Sequence, residues 1–151
     1  MNEPVKAKPY LEGAHRIYEQ GSDSELKSEG MNNLAAVYVE LGQFAEAKAL
    51  HEKCLQLMKS LHGPEAPQYA ISMGNLAGVY RSLGQDGEAE PLLRKSVLLL
   101  SKAGERHLSS LANAEMNLAN LYNSQREFVR AEQLYLHAIG IIERIAGDNQ
   151  I

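Results

Sequence analysis

The chain has 151 residues, 44% of them hydrophobic and 23% charged, and a formal net charge of −4. That length allows one continuous core but not two independent ones, and the composition is that of an ordinary globular chain. A negative balance with scattered lysines and arginines argues against a nucleic-acid partner, which needs a basic face to displace counterions.

The first predicted element is a helix over 5–20. In "KAKPYLEGAHRIY" (Lys6 to Tyr18), residues Ala7, Tyr10, Leu11, Ala14 and Tyr18 recur at steps of three and four, one stripe of a helix. Pro9 is expected in its first turn, where a missing N–H costs least. A helix pair follows over 24–62, built on "NNLAAVYVELGQFAEA" (Asn32 to Ala47). Gly42 supplies the positive φ that stops its first helix, and Ala47, Leu50, Cys54, Leu55 and Met58 stripe the second.

The pair over 66–104 is built on "GNLAGVYRSLGQDGEA" and stops at Gly84. Met73, Leu76, Ala77, Tyr80 and Leu83 stripe its first helix, and Ala89, Leu92, Leu93, Ser96, Val97 and Leu100 its second. Its second helix shares the Ala-x-Pro opening of the N-terminal element, with Pro91 expected in the first turn. The last pair, over 107–147, is built on "MNLANLYNSQREFVRA" and carries Arg126 where the others have glycine. That departure is expected to strain or slightly lengthen the turn.

The three copies keep one interval of 42. It separates Asn33, Asn75 and Asn117, then Leu34, Leu76 and Leu118, Ala35, Ala77 and Ala119, Tyr38, Tyr80 and Tyr122, and finally Ala47, Ala89 and Ala131. A fixed period of this size marks a stacked repeat array. Small residues at fixed places let neighbouring helices come close, and no segment reads as a strand. The expectation is an all-α single domain over 1–151, about seven helices, one lone helix and three pairs.

These residues resemble the tetratricopeptide repeat, in its 42-residue kinesin light chain type, from about Ala7 to Gly147. The carriers are the "NLAxVY…LGQ…A" runs and the linker "LHGPEAPQYA" (Leu61 to Ala70), which is similar to the family's "LG-x-x-x-P-x-x-A" connection. The second linker, "AGERHLSSLA", lacks the proline. The resemblance implies a right-handed α-solenoid of antiparallel helix pairs whose first helices line a concave groove for a peptide or a partner helix. Carried over, the groove residues are Asn32, Asn33, Val39 and Glu40 in the first pair, with Glu29 and Ala36 beside them. In the second pair they are Ile71, Asn75, Arg81 and Ser82, with Gly74 and Gly78. In the third they are Asn113, Met116, Asn117, Asn120 and Asn123, with Ser124.

A carboxamide offers two donors and an acceptor, so a row of asparagines can pair with both N–H and C=O of an extended backbone. The same asparagines can instead bond the adjacent repeat and hold its register. Sequence preference in the groove falls to Val39, Glu40, Arg81 and Met116. A groove this neutral is unlike a basic clamp for acidic C-termini.

No catalytic, cofactor or metal constellation is found. His15, His51, His62, His107 and His137 lack metal-ligand spacing, and Cys54 has no second cysteine and occupies a small buried stripe position. No apolar run approaches the roughly 20 residues that span a bilayer, and the N-terminus lacks a secretory apolar segment. A cytoplasmic setting is the default, although a removed transit peptide would leave no trace. The favoured reading is an interaction module for a protein or peptide, with no nucleic acid, no membrane insertion and no enzyme activity. The rival is a self-assembly element, because no polar helix caps the last pair and its flank carries Leu134, Ile139, Ile142 and Ile145.

Overall fold

The computed structural model describes residues 3–20 and 23–148. Among them are α-helices and no strand: α1 (Glu3–Gln20), α2 (Ser24–Glu40), α3 (Phe44–His62), α4 (Pro67–Ser82), α5 (Asp86–Ser101), α6 (Leu108–Ser124) and α7 (Phe128–Asp148). They fall into two compact units, Met1–Gly63 holding α1 to α3 and Pro64–Ile151 holding α4 to α7. In the first, α2 packs on both α1 and α3. In the second, α6 packs on α4, α5 and α7, and α4 on α5.

One turn closes each pair. After α2 the N–H of Gln43 donates to the Tyr38 carbonyl at 2.7 Å, after α4 Gln85 to Tyr80 at 2.8 Å, and after α6 Glu127 to Tyr122 at 2.8 Å. This closure needs a left-handed residue just before the donor. Gly42 and Gly84 supply it at φ 71° and 70°, and Arg126 adopts φ 63°. The turn at Arg126 is therefore not lengthened. All of the expected strain sits in one backbone angle, which costs a residue with a Cβ about 1–2 kcal/mol.

The small residues are where the helices meet. Ala35, Ala77 and Ala119 are fully buried, as are Ala47 and Ala89, with Ala131 nearly so. In the second unit Ala77, Ala89, Leu93, Leu118, Leu121, Tyr122 and Ala131 form one core cluster, with Leu92, Val97 and Leu134 packed against it. A second close approach recurs between positions 28 and 54 and, one period on, between 70 and 96. Ser28 meets Cys54 with Oγ to Sγ at 3.2 Å. Ser96 Oγ donates to the Ala70 carbonyl at 2.7 Å, and Ala112 and Ala138 are both buried. Cys54 thus holds the packing position expected of it.

Several expectations need correction. Pro9 and Pro91 lie inside α1 and α5, not in their first turns. The turn before α5 hands directly into the helix at Asp86, so Pro91 removes the N–H that would pair with the Gly87 carbonyl. Tyr10 is 80% exposed and does not belong to a buried stripe, while the side chains of Ala7, Leu11, Ala14 and Tyr18 lie outside those described. Leu83 caps α4 on the exposed side of its turn. The linker without proline forms a short 3₁₀ turn, Glu105–His107, entered through Gly104 at φ 82°. Its proline-bearing counterpart instead starts α4 on Pro67, after Gly63 at φ 90°.

Candidate functional site

Helical spacing puts Ile71, Gly74 and Asn75 on one face of α4, and Ser110, Asn113, Ala114 and Asn117 on one face of α6. These two faces meet across a cavity of about 100 Å³, floored by Ser96 and Leu100 of α5. Asn75 and Asn117, one repeat apart, line the same space, with Asn113 at its mouth. No charged side chain lines it. Ser96 is fully buried and its hydroxyl proton is committed to Ala70, so the floor presents little free polarity.

Gly74 keeps the floor open. A Cβ placed there would lie 3.6 Å from Ser96 Oγ, an ordinary contact, but inside the cavity wall. Ser96 and Leu100 were hidden in the sequence because they belong to the buried stripe of a second helix. Their signal was the glycine opposite, which lines the same cavity. Ser110 and Ala114 were equally hidden; each lies three residues before a cavity asparagine.

The remaining groove positions go elsewhere. On α4, Arg81 is half-buried, its Nε shielded from solvent with no protein partner, and Ser82 Oγ donates back to the Gly78 carbonyl at 3.1 Å. On α6, Met116 is exposed, and Asn120 Oδ1 accepts the Tyr135 hydroxyl at 2.5 Å. Asn123 lines a different cavity with Phe128, Ala131, Glu132, Tyr135 and Leu136, between α6 and α7. In the first unit Asn33 and Glu40 are exposed on α2, and Asn32 and Val39 are half-buried there.

Several buried or half-buried titratable side chains lie outside the lining of this cavity. Burial pushes the His51 imidazole down to about 4, and its Nδ1 has no hydrogen-bond partner. Tyr38 is raised, by burial first and then by its hydroxyl donating to Glu12 at 2.9 Å. Glu115 is only 5% exposed and accepts from His137 Nδ1, 2.8 Å from both of its oxygens. Among the described residues no group of three or more His, Cys, Asp or Glu is placed to hold a metal. No described helix is long and apolar enough to cross a membrane.

Helix pairs with one recurring turn, one recurring alanine seam and a 42-residue period define a repeat protein. The chain belongs to the tetratricopeptide repeat family, whose models match residues 26–100 and 108–151. Repeats of this family are in general protein–protein interaction modules. Among solved structures, BtubC (BKLC) from P. vanneervenii is similar over 96% of this chain, at TM-score 0.80 and 22% identity, a likeness of fold. This chain spans 59% of the length of that protein. A Podosopora anserina protein of kinesin light chain type, with nearly identical TPR-like repeats, is similar over 94% of this chain and 68% of its own. Its TM-score is 0.68 and its identity 26%. A single-residue variant of it matches over 95% of this chain and 68% of its own, at TM-score 0.72 and 25% identity. No curated protein matches the sequence.

Proposed function

We propose that this chain is a protein-binding module, with a lone helix over 5–20 and repeats over 24–62, 66–104 and 107–147, and that it grips an extended peptide or partner helix through carboxamides on its first helices. The observation that carries this reading is the meeting of Asn75, Asn113 and Asn117 in one uncharged cavity between α4 and α6. Carboxamides there can pair with a peptide backbone in both senses without reading its side chains. Asn33 on α2 repeats the position in the first unit, with Asn32, Val39 and Glu40 as neighbours.

The test is Asn75→Ala against a peptide selected on the wild-type protein from a random library. Affinity is expected to fall by about 1–3 kcal/mol, the cost of an unpaired polar group in the complex, while the thermal midpoint hardly moves. A falling midpoint with unchanged affinity would assign the asparagine to repeat register and remove the groove.

A second reading, self-assembly, is favoured by the surface of α7. Phe128, Leu136, Ile139 and Ile142 are exposed along that helix. Leu134 does not belong to this face, since it packs against the core cluster, and Ile145 is half-buried.

A further inference from the structure

We propose that the cavity between α4 and α6 is a socket for one uncharged aliphatic side chain, of valine to leucine size, projecting from the bound peptide. This inference rests on the groove reading above. Three features of the cavity set the chemistry of its occupant.

The first is charge. The lining is Ile71, Gly74 and Asn75 from α4, Ser96 and Leu100 from α5, and Ser110, Asn113, Ala114 and Asn117 from α6. A carboxylate or ammonium entering would lose hydration and find no counter-ion. The second is size. About 100 Å³ leaves room for one branched aliphatic side chain and not for an indole. The third is the layering of polarity. Leu100 and Ala114 are buried and offer apolar contact in depth, Ile71 is half-buried like Asn75 and Asn117, and Asn113 is exposed at the mouth, where a peptide backbone would run.

Gly74 sets the width of the socket. A methyl group there makes only an ordinary contact with Ser96 Oγ, so Gly74→Ala is tolerated by the fold and also favours the helix. The same methyl group occupies part of the socket.

The probe is a phage-displayed library of random octapeptides, panned in parallel on the wild type, Gly74→Ala and Asn75→Ala. On the wild type, aligned binders are expected to share one position enriched in Val, Ile and Leu. Ala at that position, and Asp, Glu, Lys, Arg or Trp, should each weaken the synthetic peptide at least roughly 10-fold. In Gly74→Ala, whose thermal midpoint should not fall, the preference moves to Ala and Val at that position alone. Binders that need Asn75 but show no aliphatic position, or none that answers to Gly74→Ala, overturn the socket and leave the groove standing. Binders indifferent to Asn75→Ala, or none at all on the wild type, overturn both.

Discussion

His51 shows how far a repeat tolerates the wrong residue. Its equivalent one period on is Leu93, which is fully buried, and His51 itself is buried with an unpaired Nδ1. Burial lowers the folded-state pKa to about 4, so the neutral ring belongs to the folded form. The unfolded chain takes its proton first as pH falls, near 6.5. Stability is therefore complete above about pH 6.5 and declines as the pH drops toward 4, by about 3 kcal/mol in total. His51→Leu should remove that share of the acid dependence, read as the difference between denaturation curves of the two proteins at pH 7.5 and pH 4. Equal acid losses in both proteins would show that the ring is hydrated. Arg126 is the backbone counterpart. Where Gly42 and Gly84 accept a left-handed φ freely, Arg126 holds φ 63° against its own Cβ. Arg126→Gly should gain about 0.5–1 kcal/mol in urea unfolding, the relief of strain less the added freedom of the unfolded chain. No gain would mean that the arginine side chain contributes as much as its backbone costs.

The helices themselves were legible because each carries two signals that agree, a stripe at steps of three and four and a partner stripe 42 residues away. The repeated alanines read directly as closest approach, and the structure buries every one of them. Periodicity fails where a residue breaks the repeat. Glu115 stands where the other pairs have Met31 and Met73, and it is buried as they are. The register of the repeat puts position 115 on the buried face, but it does not show what satisfies a carboxylate there, because the partner, His137, lies on α7, 22 residues away. Helix starts also escaped: stripe residues locate a buried face, but Pro91 pointed to a first turn one turn too late. A buried carboxylate held by a mostly exposed imidazole is a weak substitute for packing. Glu115→Met, restoring the residue of the other pairs, should leave stability unchanged or raise it by about 1–3 kcal/mol in chemical denaturation. His137→Ala with Glu115 retained should lower it, by about 1–2 kcal/mol, through the lost hydrogen bond. Loss of stability in Glu115→Met would give the carboxylate a role beyond pairing with His137.

For the molecule as a whole, the sequence announced its repeats and hid its surfaces. Of thirteen groove positions, Ile71, Asn75, Asn113 and Asn117 converge on one cavity, because α4 and α6 lie side by side and these four face each other. Asn120 and Asn123 share a helix with them but are engaged by α7, Asn120 through the Tyr135 hydroxyl and Asn123, about 120° round the helix from Asn117, in the cavity beside Phe128 and Tyr135. The α7 side is the one that bears on assembly. Ile139 and Ile142 on α7 are one period from Val97 and Leu100 on α5, and there the fold differs sharply. Leu100 is buried and Val97 packs against the core that includes Leu118, Leu121 and Tyr122 of α6, whereas Ile139 and Ile142 are 49% and 46% exposed. An apolar stripe of this kind, extended by Phe128 and Leu136, is the surface expected at an interface. If self-assembly uses it, light scattering should give a dimer mass for the wild type at tens of micromolar and a monomer mass for Ile142→Glu. The charge enters an exposed site, so the thermal midpoint of the monomer should not collapse. A wild type that stays monomeric throughout that range removes self-assembly, and the peptide-binding reading then stands alone.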